Sequence, residues 1–309
     1  MALAVPGLRA LLVASLLAGC SKAVLPAGGA VDGLTVLSVS KLPSSGYSGL
    51  TLDGAKTLWA VPERGQQLQH LIVAVDGLTV GSTLPIDGLP EGIDLESLAW
   101  LEGERFVAGT ERQALRGTDS VLVLERQGKR VAPVAQAELP YSLWMMNAEP
   151  NRGIEGICAA DGDIIAAVEP VWEESGNRWG LLARLDPATE QWQPLRTQLT
   201  TKTGKLAGLT CRVVDGAIEV HAIERHFGIA RVLRMTLPAW EPPAVPAEGK
   251  AASPAPVTVA SQVVVDVAGA FGEVPNLEGI AWAGPSLLLI SDNHYGAITG
   301  PTEALRFKP

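Results

Sequence analysis

One phrase recurs five times along the chain: Tyr47-Ser48-Gly49-Leu50, Leu95-Glu96-Ser97-Leu98, Ile154-Glu155-Gly156-Ile157, Leu206-Ala207-Gly208-Leu209 and Leu277-Glu278-Gly279-Ile280. Each copy is an apolar or aromatic residue, then Ser, Glu or Ala, then a small residue, then an aliphatic one. Each opens a short strand-like run, and after a turn a second run ends on an acid: Glu63, Glu111, Glu169, Glu224 and Asp292. The small residue and the acid are 14, 14, 13, 16 and 13 residues apart. A repeat of this kind builds one supersecondary unit several times over and stacks the copies around a shared core.

The small residues are 48, 59, 52 and 71 positions apart, and closing the circle from 279 to 309 and from about 25 to 49 adds roughly 54 more. Periods near 40–50 residues plus loops are those of four-stranded propeller blades. Each period holds two further strand-like runs: 70–75 and 78–83, 120–124 and 131–136, 181–185 and 192–197, 229–235 and 257–267. The fifth has only 304–308, and the run at 34–40 supplies its missing strand, which closes the ring and leaves no open edge. The expected fold is therefore an all-β, five-bladed β-propeller over 33–309. The Pro- and Ala-rich stretch 238–256 is read as a loop inserted in blade four, between its third and fourth strands.

Residues 1–19 read as a signal peptide: one positive charge at Arg9, then an apolar run too short to span a bilayer as a mature helix. The run ends Leu17-Ala18-Gly19-Cys20, which resembles a bacterial lipobox. That resemblance implies lipidation of Cys20, a tether over 20–32, and an anchor in the cell envelope. Ser21 after the cysteine points to the outer membrane, facing the periplasm. An ordinary secretory signal is the other reading, and both export the protein. With 33 acidic against 24 basic residues the net charge is −9, a sign that disfavours nucleic acid as a partner. Cys158 and Cys211 sit at different offsets in their repeats, so opposite strand faces and two buried free thiols are expected.

In a propeller the first strand of each blade lines the channel. Ser48, Glu96, Glu155, Ala207 and Glu278 then ring the axis at one level. Three carboxylates in so narrow a space need compensation. A hard cation such as Ca2+, held by Ser48, Glu96, Glu155 and Glu278, supplies it. Hydrogen-bonded or protonated glutamates around water are the other reading. Ala207 offers no ligand. The acids Glu63, Glu111, Glu169, Glu224 and Asp292 return to the same rim, and they are the candidates for activating water. Arg64, Arg112, Arg152 and Arg225 could grip a phosphate or carboxylate, or else form salt bridges between blades. His226 and His294 are near this rim, and Trp100 and Trp282 take equivalent repeat positions. No Gly-x-Ser-x-Gly elbow, Walker loop, HExxH or dinucleotide fingerprint occurs.

The phrases Tyr47-Ser-Gly-Leu with Leu58-Trp-Ala-Val-Pro-Glu-Arg-Gly65, Asn151-Arg-Gly-Ile-Glu-Gly-Ile157, and Asn276-Leu-Glu-Gly-Ile-Ala-Trp282 with Leu288-Leu-Ile-Ser-Asp-Asn293 resemble the phytase-like family. The resemblance covers about residues 30–309 and implies a propeller with phosphoester or ester hydrolysis. A more distant likeness is to calcium-activated nucleotidases, propellers whose central Ca2+ is held by Ser, Glu, Glu, Ser and Glu. Ser48, Glu96, Glu155 and Glu278 match that order and Ala207 departs from it. The expected protein is a lipid-anchored monomer that hydrolyses phosphate or carboxylic esters with Ca2+. The rival is a non-catalytic propeller that binds a small anionic ligand or an envelope partner.

Overall fold

The structure, a computed structural model, describes residues 30–31, 34–42, 46–62, 65–74, 77–89, 91–113, 118–240, 255–271, 273–293 and 301–309. Cys20, the signal stretch 1–19, Glu63, Arg64 and His294 lie outside the described residues, as does most of the 238–256 loop. The described chain is 69% strand and 3% helix and forms five sheets, the five blades of a propeller.

Blade 1 runs Tyr47–Leu52, Leu58–Pro62, Gln67–Ala74 and Gly77–Pro85 from the channel outward. Blade 2 runs Ile93–Glu102, Arg105–Arg112, Ser120–Gln127 and Arg130–Glu138. Blade 3 is Ile154–Ala160, Asp163–Glu174, Asn177–Asp186 and Gln191–Gln198. Blade 4 is Lys205–Val214, Ala217–His226, Ile229–Thr236 and Ser261–Asp266. Blade 5 takes Leu277–Ala283, Ser286–Ser291 and Thr302–Lys308 from the C-terminal end of the chain. Its outer strand is Leu34–Leu42, paired antiparallel with Thr302–Lys308, so the ring closes as the repeat predicts. Ala30–Val31, expected within the tether, folds back on Leu34 and Thr35.

The run expected as one strand over 257–267 is two. Val257–Val259 pairs parallel with the outer strand of blade 3, and only Ser261–Asp266 joins blade 4. The returning chain thus covers the edge of one blade before completing the next, which leaves fewer unpaired backbone groups at that edge.

The repeated phrase has two physical meanings. In all five innermost strands the ladder register slips at the second residue, between Tyr47 and Gly49, Leu95 and Ser97, Ile154 and Gly156, Leu206 and Leu209, and Leu277 and Gly279. A bulge at this point leaves a residue outside the ladder and re-aims its side chain. The small residue that follows lies where neighbouring blades touch. A Cβ on Gly49 would meet the Leu98 nitrogen at 2.5 Å, on Gly156 the Ala207 oxygen at 2.4 Å, and on Gly208 the Glu278 oxygen at 1.9 Å. In blade 2 Ser97 stands there, and its hydroxyl lies 3.5 Å from the Ile154 carbonyl.

Five hydrophobic clusters fill the five blade–blade interfaces. In blade 3, Ile164, Ala166 and Val168 face blade 2, whereas Ile165 and Ala167 face blade 4. Both faces of each sheet are buried, so the central strands read as continuous apolar runs instead of alternating ones.

That arrangement corrects the cysteine expectation. Cys158 and Cys211 form a disulfide between the innermost strands of blades 3 and 4, with Cα atoms 5.6 Å apart. Adjacent blades stack face to face, so the surface blade 3 turns to blade 4 is the opposite of the one blade 4 turns back. Cys158 follows Gly156 by two residues and Cys211 follows Gly208 by three, a one-residue difference that points the two side chains at each other.

Candidate functional site

The bulge residues Glu96, Glu155 and Glu278 project into one end of the channel, with buried Ser48 and Ala207 completing the ring. The Ser48 hydroxyl is buried and has no hydrogen-bond partner. Rim acids join them. Glu169 stands outside its ladder because a second bulge between Val168 and Val171 frees Glu169 and Pro170. Glu111, near the end of its strand, accepts a hydrogen bond from the Gly153 backbone N–H at 3.1 Å. Gly153 in turn accepts one from the Glu169 N–H at 3.1 Å, and a Cβ on Gly153 would collide with the Thr110 and Glu111 backbone. The Asn151-Arg-Gly stretch therefore ties two rim acids to the strand that carries Glu155.

Glu111, Glu155 and Glu169 each present an oxygen within 4.8 Å of the others, the one such trio among the described residues. It crosses the two rings read from the sequence, taking one member from the channel and two from the rim. Asn276 donates to Glu278 at 2.9 Å and lies 3.4 Å from Asp292, which brings the blade 5 rim acid to the same end.

Blade 4 contributes no channel acid and instead brings two cations. Lys205, two residues before Ala207, contacts Glu169 and lies 3.5 Å from Glu155. Arg225 contacts Glu278 and lies 3.8 Å from Glu155. The balance still favours negative charge, and the acids resist ionisation. Burial first, and then Glu155, push Glu111 up to about 7. Burial also pushes Glu278 up to about 8, with Glu155 and Asp292 adding to it against the opposing pull of Arg225. Glu96 is raised well above the usual range by burial, then by Glu278, Glu155 and Glu111. Glu169 is raised by burial and Glu155 despite Lys205. Burial opposes the charge on Lys205, yet Glu155 and Glu169 outweigh it and hold the ammonium firmly protonated.

The other rim candidates are engaged elsewhere. Glu224 is fully buried and accepts hydrogen bonds from the backbone and hydroxyls of Thr200 and Thr201, four donors at 2.5–3.1 Å. It fastens the entry to blade 4. Arg112 is buried against Asp119, whose carboxylate accepts its backbone N–H at 2.9 Å. Arg152 is exposed and pairs with Glu149 at 3.1 Å. His226 is exposed and packs its ring on Phe227. Of the three described arginines among those proposed to grip an anion, Arg225 contacts the channel carboxylates, whereas Arg112 and Arg152 pair with Asp119 and Glu149.

Lys205 and Asn276 are the functional residues that sequence reasoning missed. A usable signal exists: each channel residue is preceded two positions earlier by Gly46, Asp94, Gly153, Lys205 or Asn276. The one lysine stands before the one alanine. At the other end of the channel is a cavity of about 300 Å3, lined among others by Thr51, Trp100, Cys158, Arg212 and Trp282. There Arg212 lies over the Trp282 ring at 4.0 Å, and buried His221 meets the same ring edge-on at 5.0 Å.

A family profile described as "Esterase-like activity of phytase" (phytase-like) matches residues 43–295. No curated protein matches the chain. Among solved structures, a PQQ-bound aldose sugar dehydrogenase from Streptomyces coelicolor is 12% identical, covering 89% of this chain and 97% of that one, with a TM-score of 0.48. A thermostable family-43 glycoside hydrolase is 7% identical over 86% and 90%, with a TM-score of 0.46. Virginiamycin B lyase from Staphylococcus aureus is 10% identical over 88% and 98%, with a TM-score of 0.39. Likenesses this distant say nothing about chemistry.

Proposed function

Since this chain belongs to the phytase-like family, we propose that it is an exported, lipid-anchored hydrolase of phosphate esters that works with Ca2+ at the acidic end of its channel. The observation that carries this reading is the convergence of Glu111, Glu155 and Glu169 beside two cations at one channel end. Glu111, Glu155 and Glu169 would hold the ion, with Ser48, Glu96 and Glu278 the next oxygens around the ring. An all-oxygen donor set of this kind suits Ca2+. When bound, the cation polarises a phosphoryl oxygen and makes bound water more acidic.

The chain's own groups supply the rest. Arg225, held against Glu278 and Glu155, would place a positive charge beside the phosphoryl group. Glu111 is fixed for its place beside the ion by the Gly153 backbone N–H, which its carboxylate accepts at 3.1 Å. Asn276 orients Glu278. The Leu17-Ala18-Gly19-Cys20 phrase supports export and a lipid anchor in the envelope, and the Cys158–Cys211 disulfide supports an oxidising compartment. The rival reading is a propeller that binds a small anion or an envelope partner without turnover; Arg112 and Arg152, paired with Asp119 and Glu149, give it no anion grip.

The test is hydrolysis of p-nitrophenyl phosphate, and of p-nitrophenyl acetate for the carboxylic-ester arm, with Ca2+ and with EDTA. Phosphatase turnover that needs Ca2+ and falls at least a hundredfold in Glu111→Gln, with melting unchanged, supports the hydrolase. Stabilisation by Ca2+ with no turnover on either ester overturns it in favour of the binding propeller.

A further inference from the structure

Lys205 stands where a metal ion would have to go. Its ammonium contacts Glu169 and lies 3.5 Å from Glu155, and both carboxylates belong to the trio whose oxygens fall within 4.8 Å of one another. Two oxygens on opposite sides of Ca2+, each about 2.4 Å away, are about 4.8 Å apart. The three oxygens are therefore close enough together to share one ion. An ammonium this close to two of the three oxygens leaves no room for a second positive charge.

We infer that Lys205 is a tethered counter-cation that occupies the divalent-cation site and is displaced when the metal binds. The inference rests on the calcium reading above and adds how that site is regulated. Three observations support it. Lys205 is placed two residues before Ala207, the one channel position among the five without an oxygen-bearing side chain, so blade 4 gives the ring a charge of the opposite sign. The lysine is also the more releasable of the two cations. It ends a flexible four-carbon stem and remains about one-fifth exposed, at 21%. Arg225, its cross-strand partner, is less exposed, at 15%, and bridges Glu155 to Glu278, so it can stay when the lysine leaves. Finally, the burial of these acids makes an empty ring costly, and an internal ammonium keeps it assembled without metal.

The consequence is a competition. Metal must expel Lys205 to bind, so the lysine weakens apparent affinity while stabilising the metal-free fold. Isothermal titration of Ca2+ into the purified protein tests this with Lys205→Met, which keeps the apolar stem, and Lys205→Arg, which keeps the charge. Lys205→Met is expected to bind Ca2+ at least tenfold more tightly than wild type and to melt lower in EDTA, whereas Lys205→Arg gains no affinity. Equal or weaker binding by Lys205→Met, with wild type binding normally, overturns the inference and leaves the calcium reading intact. No binding by either protein overturns both.

A measurement on wild type alone guards against a variant that fails to fold. Acylation of lysine amines by an N-hydroxysuccinimide ester, followed by peptide mass spectrometry, is expected to label Lys205 several-fold faster in Ca2+ than in EDTA. Labelling that is unchanged or slower in Ca2+ overturns displacement.

Discussion

Gly208 faces the carbonyl oxygen of Glu278 so closely that a Cβ placed on it would stand 1.9 Å from that oxygen. The contact joins the innermost strands of blades 4 and 5 just where Glu278 leaves its ladder to enter the channel. Ring closure and site geometry thus depend on the same backbone approach. Gly208→Ala is expected to cost at least about 3 kcal/mol, because backbone and not a flexible side chain must move. Ser97→Ala, at the equivalent place in blade 2, removes only a long hydroxyl contact and should cost under about 1 kcal/mol. Urea unfolding of both variants checks the contrast, and similar costs would contradict it.

Glu224 and Glu111 hold equivalent repeat positions and do different work. Glu224 spends its carboxylate on Thr200 and Thr201 inside the fold. Hydrogen bonds to a charged group are worth about 1.5–3 kcal/mol each. Glu224→Ala should therefore lose about 3 kcal/mol or more of stability. Glu111→Gln should leave stability within about 1 kcal/mol and weaken Ca2+ binding. Melting curves paired with Ca2+ titrations separate the two roles.

Acid sensitivity should arise in part at the far end of the channel. Burial lowers His221 to about 4, with Arg212 and Arg234 helping and Glu219 opposing. In the unfolded chain histidine titrates near ~6.5, so the unfolded state takes the proton first. The stability linked to His221 is complete above about pH 6.5 and is lost as pH falls towards 4, by about 2 kcal/mol between pH 7.5 and 5. His221→Phe keeps a ring against Trp282 and should lack this slope. Parallel stability–pH curves for the two proteins would contradict the assignment.

The disulfide closes a long loop between blades 3 and 4, with 53 residues separating its cysteines. Chain entropy for a loop of that length gives a stabilisation on the order of 4 kcal/mol. Alkylation of the unreduced, denatured protein should leave Cys158 and Cys211 unmodified. The Cys158→Ala/Cys211→Ala variant should melt well below wild type, and free thiols at both positions would refute the pairing.

Most of the architecture was legible because the repeat is a packing rule written in residues. The small residue at Gly49, Gly156 and Gly208 marks close backbone approach, and the residue before it marks the bulge that turns into the channel. The N-terminal strand at Leu34–Leu42 was legible from a missing partner. The disulfide was misread because face parity was compared within one blade instead of across an interface, where facing surfaces are opposite. The split at Ala260 carries no sequence break, since Val257–Val259 and Ser261–Asp266 both hold β-branched runs and only the position of the blade 3 edge divides them. Lys205 escapes a sequence reading, and Glu224 is misread by one, for a common reason: spacing gives the end of the channel a side chain reaches, but not which neighbour claims its charge.

The calcium reading meets its most direct test in thermal unfolding of the purified protein in EDTA and then in excess Ca2+, for wild type and Glu155→Gln. Glu155 is the residue shared by the channel ring, the trio and both cations. Binding to the folded state alone stabilises by about 2.7 kcal/mol at one hundred times Kd. The account predicts a clear rise in Tm for wild type that is abolished in Glu155→Gln. No rise in wild type, or an equal rise in both, would contradict it.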